Sequence, residues 1–153
     1  YHFQKVDWVA TNNAFFRSNI LKKNLIKFDK NLKNIGGSDQ LFFKELNRKK
    51  VDCRWNAKSY VIENIQTNRE NIKWFLKRNL RYGYSGNYID KKVYGKIIGT
   101  LLCIWKIAIM LLASIIYFSL FFFQNNFYKS IFYFSRSFGR LLGIFNYTPK
   151  KYT

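Results

Sequence analysis

"IIGTLLCIWKIAIMLLASIIYFSLFFF", Ile97 to Phe123, carries a single charge, Lys106, in an otherwise apolar run. Roughly 20 apolar residues suffice to cross a bilayer, so the stretch predicts a transmembrane helix. A buried helix of a soluble core would need more surrounding protein than a chain of 153 residues can supply. Lys106 at mid-helix costs about 2.5–3.5 kcal/mol, less where it snorkels or finds a partner. Lys91, Lys92 and Lys96 precede the run, which places that end in the cytoplasm by the positive-inside rule.

The whole chain has the same two-sided character. It holds 27 Lys+Arg against 8 Asp+Glu, a formal +19, and yet 48% of it is hydrophobic. That combination fits a protein held against an anionic surface, either membrane or nucleic acid. Aromatic content of 20%, with 16 Phe, favours lipid, and no nucleic-acid motif is present. Cys53 and Cys103 sit in unlike settings and make neither a disulfide framework nor a metal spacing. The one histidine, His2, has no visible partner residues, so no structural metal site is expected. The chain begins at Tyr1 without a signal-peptide pattern, which reads as a piece of a longer protein cut on its N-terminal side.

Downstream of the span, "FYKSIFYFSRSFGRLLGIF" (Phe127–Phe145) places Lys129, Arg136 and Arg140 on one stripe of a helix. Such a segment suits the membrane interface, with a second, returning span as the rival. The tail "TPKKYT" decides between neither.

Upstream, the pattern is mixed. "VDWVATNNAFF" offers a β-like run, Val6 to Ala10, then a polar turn at Thr11–Asn13. "RSNILKKNLIKF" reads as a helix and a loop, and Val51 to Asn64 mixes small and β-branched residues as strands do. "TNRENIKWFLKRNLRYG" has a capping-box spacing, Thr67 with Glu70. Ile72, Phe75, Leu76 and Leu80 line one side of that helix, and Arg69, Lys73 and Lys77 another. Its basic residues suit anionic headgroups or a pyrophosphate, which Arg grips with paired hydrogen bonds. The expected fold class is therefore α/β, the back half of such a domain, followed by a membrane anchor. Expected boundaries are residues 1–92, a transmembrane helix with flanks at 93–126, an amphipathic interfacial or second membrane helix at 127–146, and a basic tail at 147–153.

Within the first part, "IGGSDQLFFKEL" (Ile35–Leu46) brings two glycines to an aspartate at the start of a short amphipathic helix. Ser38 or Asp39 is a natural N-cap for a helix over Gln40–Leu46, worth about 0.5–2 kcal/mol. A carboxylate held there and reachable from a cleft also suits a general base. Local sequence favours the cap.

The order of these pieces carries a resemblance. The chain resembles the C-terminal half of family-two glycosyltransferases, which have a GT-A catalytic domain, and in particular the membrane-anchored bacterial members that build surface polysaccharides. "VDWVATNNAFFRS" is similar to the family's strand and turn beside the acceptor pocket. "GGSDQLFFKEL" looks like its "GGEDxDLxxRL" motif, whose aspartate is the proposed base. "AKSYVIENIQTNRENIKWFLKRNLRYG" is similar to the stretch leading to an Arg-rich helix, and "RNLRYG" (Arg78–Gly83) stands where processive members have "QxxRW". Here Ser38 replaces the usual Glu, and Arg78 and Tyr82 replace Gln and Trp, which favours transfer of a single sugar over polymerisation.

The resemblance implies an inverting transfer from a nucleotide-sugar donor to a lipid-linked or other saccharide acceptor at the cytoplasmic face of the inner membrane. It makes residues 1–92 the acceptor side of the catalytic domain. It implies Asp39 as catalytic base, an acceptor site from Thr11, Asn12, Asn13, Gly36 and Gly37, and diphosphate binding by Arg78 and Arg81. Trp74 or Tyr82 would stack on a sugar. A divalent cation, Mg or Mn, is expected on ligands outside residues 1–153, as is the donor-binding half, so these residues alone are expected to be inactive. Anionic membrane lipids are expected partners. The competing reading is a non-enzymatic polybasic membrane anchor or scaffold, which explains the charge and the span but has no use for the "TNN" turn or the "GGSD" loop.

Overall fold

The structure, a computed structural model, describes residues 3–24, 26–120, 122–123 and 125–147. His2, the tail from Thr148 and most of the expected 147–153 segment lie outside them. The described residues are helical: α1 (Ser18–Asn24), α2 (Ser38–Arg48), α3 (Ile72–Tyr94), α4 (Lys96–Ser119) and α5 (Asn126–Ile144), with 3-10 turns at Thr11–Asn13, Lys30–Leu32 and Thr67–Arg69.

This overturns the α/β expectation, because no strand or sheet forms among the described residues. The two segments read as strands do meet, but only at one antiparallel bridge between Lys5 and Arg54. Three backbone hydrogen bonds flank it: Phe3 N to Trp55 O, Trp55 N to Gln4 O, and Val6 N to Cys53 O, at 2.7–3.0 Å. An isolated two-stranded pairing is marginal in water, and no third extended segment joins it. Beyond the bridge, Val9 and Val51 spend their apolar surface against the α2 core instead.

The chain divides into two compact units. One comprises residues up to Lys33 together with Gly37–Asn64; the other comprises Asn34–Gly36 and everything from Ile65. The division falls before α3, so the basic helix belongs with α4 and α5.

The core of the first unit is the apolar face of α2. Phe42, Phe43 and Leu46 are buried with Ile26, and Val9, Ala14, Leu21, Val51 and Cys53 pack around them. Phe28 stacks on Phe42 at 4.4 Å between ring centres, and Phe16 meets the same ring edge-on at 5.1 Å. Fully burying a ring such as Phe42 or Phe43 contributes about 1.5–3 kcal/mol, whereas Phe16 and Phe28 stay exposed at the edge of the cluster.

The second unit is a three-helix assembly. Asn71, not Thr67, caps α3, its side chain accepting from Trp74 N at 2.9 Å. The capping-box spacing instead falls in the 3-10 turn just upstream. Gly95, with φ 86°, separates α3 from α4 by a single residue, so α4 folds back along α3. The lone charge of the span then meets Asp90: Lys106 Nζ lies 2.8 and 2.9 Å from its two carboxylate oxygens. Helical side chains tilt toward their own N-terminus, which directs Lys106 back to that end.

α5 returns along α4 in turn. Ser114 and Ser130 each donate to the other's carbonyl oxygen at 3.0 and 2.9 Å, and the rings of Tyr117 and Tyr133 stack at 5.6 Å. Against α3, α5 runs parallel in steps of three or four residues: Phe75 with Phe132, Asn79 with Arg136, Gly83 with Gly139, Asn87 with Gly143. At the third step the two backbones touch. A Cβ on Gly83 would overlap the Arg136 carbonyl oxygen, and one on Gly139 would overlap that of Leu80. Small residues at such a crossing are what membrane helices use to approach closely.

This unit is apolar outside and polar within. Asn79, Ser85, Asn87, Asp90, Ser114, Ser130, Ser135, Ser137 and Arg140 are buried, whereas Ile97, Trp105, Leu112, Ile115, Phe134 and Phe145 are exposed. α4 is the one described helix long and apolar enough to cross a membrane, and only 11% of its most apolar window is buried. The stripe Lys129, Arg136, Arg140, expected to face headgroups, instead turns in part toward the other helices: Arg140 is 8% exposed and Arg136 half-buried.

Candidate functional site

In the first unit, α2 begins where the backbone takes a left-handed turn. Gly36 and Gly37 have φ of 95° and 86°, a region that side chains with a Cβ rarely enter. Gly37 itself is the N-cap, and the helix starts at Ser38. Asp39 thus falls in the first turn rather than at the cap. One of its oxygens accepts from Gln40 N at 2.9 Å, and the group is half-buried. In a chain with 27 Lys and Arg, no described cation pairs with it. The expected cap at Ser38 or Asp39 is therefore replaced by glycine, and the carboxylate keeps acceptor capacity.

The "TNN" turn is tied to the segment before α3. Asn13 donates its amide to Ser59 O at 3.1 Å, and Asn12 reaches Glu63 at 3.5 Å. Asn13 also lines a cleft of about 650 Å³ whose walls include Phe15, Phe16, Arg17, Cys53 and Trp55. Thr11, Asn12, Gly37 and Asp39 do not line it. Phe15 and Trp55 are 89% and 45% exposed, so the cleft presents open aromatic rings. Burial pushes the Cys53 thiol up from its ordinary value, and the Asp52 carboxylate adds to the effect.

The second unit holds Gly36, Trp74, Arg78, Arg81 and Tyr82. The Arg78 guanidinium lies 4.7 Å from the Trp74 ring centre and 5.4 Å from that of Tyr82. It also donates to the Tyr82 hydroxyl at 3.1 Å. Trp74 and Tyr82 are therefore occupied by an arginine. Arg81 is 7% exposed, one turn further into the helical interior.

Sequence reading missed two arginines of this unit. Arg136 sits 5.4 Å from the Tyr82 ring centre and 4.2 Å from that of Phe132. Arg140 reaches across to Asp90 at 2.8 Å and to the Cys103 sulfur at 3.7 Å. Their four-residue spacing was visible as a stripe; the neighbours that the stripe faces come from α3, far away in the chain.

The cation implied by the resemblance was expected on ligands outside residues 1–153. Among the described residues no group of three His, Cys, Asp or Glu converges. Comparison with protein-family models, with curated proteins and with solved structures finds no match.

Proposed function

We propose that the chain is the membrane-side part of a glycosyltransferase that moves a sugar from a nucleotide-sugar donor to a lipid-linked saccharide acceptor. The observation that carries this reading is the state of Asp39. Gly37, not Asp39, is the cap, no described cation is paired with the carboxylate, and its hydrogen bond from Gln40 N engages one of its two oxygens. A fixed, half-buried carboxylate with acceptor capacity to spare suits a general base. The resemblance of "GGSDQLFFKEL" to the family motif supports the same residue.

In the proposed step the acceptor hydroxyl gives its proton to Asp39 as its oxygen forms a bond to the anomeric carbon. The bond from that carbon to the diphosphate oxygen breaks, and the leaving diphosphate takes the electron pair. Positive charge stabilises such a leaving group, and the resemblance gives diphosphate binding to Arg78 and Arg81. The apolar exterior of α4 and α5 supports attachment to a membrane, with the Lys91–Lys96 end in the cytoplasm. Attachment would confine a lipid-linked acceptor and the enzyme to one plane and raise their effective concentration.

Asp39→Asn in the intact polypeptide tests the reading. Transfer of labelled sugar from donor to lipid-extractable acceptor is expected to fall by about 10²–10⁴-fold, the usual contribution of a positioned base, with donor binding by calorimetry unchanged. Transfer within a factor of two of wild type removes Asp39 from the role.

The second reading, a non-enzymatic polybasic membrane anchor, has its own support in the exposed apolar residues of α4 and α5. It predicts membrane attachment that is indifferent to Asp39, with no sugar transferred by the intact polypeptide.

A further inference from the structure

Tyr82 is flanked by two guanidinium groups drawn from different helices. Arg78 of α3 and Arg136 of α5 each lie 5.4 Å from its ring centre, so they are no farther apart than twice that distance. Arg78 also lies 4.7 Å from the Trp74 ring centre and Arg136 4.2 Å from that of Phe132. Each guanidinium is therefore held against two aromatic rings.

Stacking occupies the faces of a guanidinium and leaves its in-plane N–H groups available. Each of these arginines has five such donors. Arg78 donates to the Tyr82 hydroxyl and Arg136 to the Asn79 amide oxygen at 3.2 Å. Neither has a carboxylate partner among the described residues. The contrast lies one turn away, where Arg140 is neutralised by Asp90. Both stacked arginines are half-buried, which raises the cost of leaving like charges together without an anion.

We infer that Arg78 and Arg136 form a binding site for a phosphate-bearing group, built only when α5 docks on α3. The aromatic rings hold the two forks in place and the forks grip the anion through paired N–H···O bonds. Phosphate on a lipid and soluble diphosphate share this chemistry. The inference deepens the proposed transfer reaction by bringing a residue of the C-terminal helix to the anion, but its test measures binding and does not involve Asp39.

The full chain in detergent is titrated with inorganic pyrophosphate by calorimetry. In a second arm it is mixed with phosphatidylcholine vesicles with and without phosphatidic acid. Arg78→Gln, Arg136→Gln and Arg136→Lys are compared with Lys129→Gln, which removes one exposed charge from the same helix. Circular dichroism melting accompanies each variant, and Arg78→Gln carries the test should Arg136→Gln fail to fold.

Loss of tenfold or more in pyrophosphate affinity on Arg78→Gln and Arg136→Gln, with less than twofold on Lys129→Gln, supports a diphosphate site. The same ordering only in the phosphatidic-acid increment assigns the site to lipid phosphate. Arg136→Lys is expected to lose most of the affinity, since it keeps charge but not the fork. An equal loss on Lys129→Gln, or no binding in either arm, overturns the inference. Asp39→Asn leaves both arms unchanged, so failure of the catalytic reading would show separately.

Discussion

Asp90 of α3 and Lys106 of α4 form a two-pronged ion pair at 2.8 and 2.9 Å, with Asp90 only 2% exposed and Arg140 of α5 completing the cluster from the other side. One carboxylate thereby holds a cation from each of the two other helices. A charge that would be costly in an apolar span is answered by a partner sixteen positions earlier in the chain.

Removing the acid should therefore hurt more than removing a cation. Asp90→Asn leaves two partly buried cations facing each other and is expected to cost about 3–5 kcal/mol, read as a lower melting temperature in detergent. Adding Lys106→Met to that variant should recover part of the loss. Equal stability of the single and double variants would show that the cluster does not hold the helices together.

The Gly83–Gly139 crossing makes a second expectation. Any side chain at either position meets backbone of the opposite helix, and backbone cannot rotate aside. Gly139→Leu should separate α3 from α5, lower the melting temperature and raise hydrogen exchange across residues 79–87. Gly95→Ala is a useful contrast: nothing lies within 4 Å of its added Cβ, so its cost should be the backbone strain alone, about 1–3 kcal/mol for a φ of 86° with ψ of 165°, a region essentially confined to glycine.

In the first unit, Phe42 is 1% exposed and touches Phe16, Phe28 and Phe43. Phe42→Ala is expected to cost about 3–5 kcal/mol. Faster amide exchange through α2, measured by mass spectrometry, would report it; unchanged exchange would mean the ring cluster is not the core.

Cys53 offers a pH-dependent readout. Burial, and then the Asp52 carboxylate, disfavour its thiolate, and the thiolate is the nucleophile. At pH 8 its alkylation should be slower than that of free cysteine, with the rate rising to its midpoint at a pH above the ordinary thiol value. Asp52→Asn removes a negative neighbour and should speed the reaction at pH 8. Peptide-level mass spectrometry separates Cys53 from Cys103, and a rate equal to free cysteine would contradict the expectation.

Gly37 caps α2 at φ 86°. Gly37→Asn should be tolerated better than Gly37→Val, since asparagine visits that region and β-branched residues scarcely do. Thermal melting of the two variants checks the order.

The helices that were read correctly are those whose evidence is local. The apolar run after Lys96 became α4, ending at Ser119, and Phe127–Phe145 became α5 within a residue at each end. The strand readings failed because β-branched residues at 6–10 and 51–64 express a preference that a partner must satisfy, and pairing stops at Lys5 and Arg54. At α2 the motif was legible but its cap was not: both Ser38 and Asp39 are good capping residues, yet Gly37, with its positive φ, starts the helix one residue earlier than Ser38 would and two earlier than Asp39 would.

Charge, the apolar span and the spacing of arginines along α5 were all contained in the order of residues, because each depends on near neighbours and helical periodicity alone. Which arginine would meet Asp90, which would stack on Tyr82, and that Lys106 would find a carboxylate were settled by the packing of α3, α4 and α5. A period of 3.6 residues names a face of a helix; only the helices folded against that face determine whether it meets water, lipid or an opposite charge.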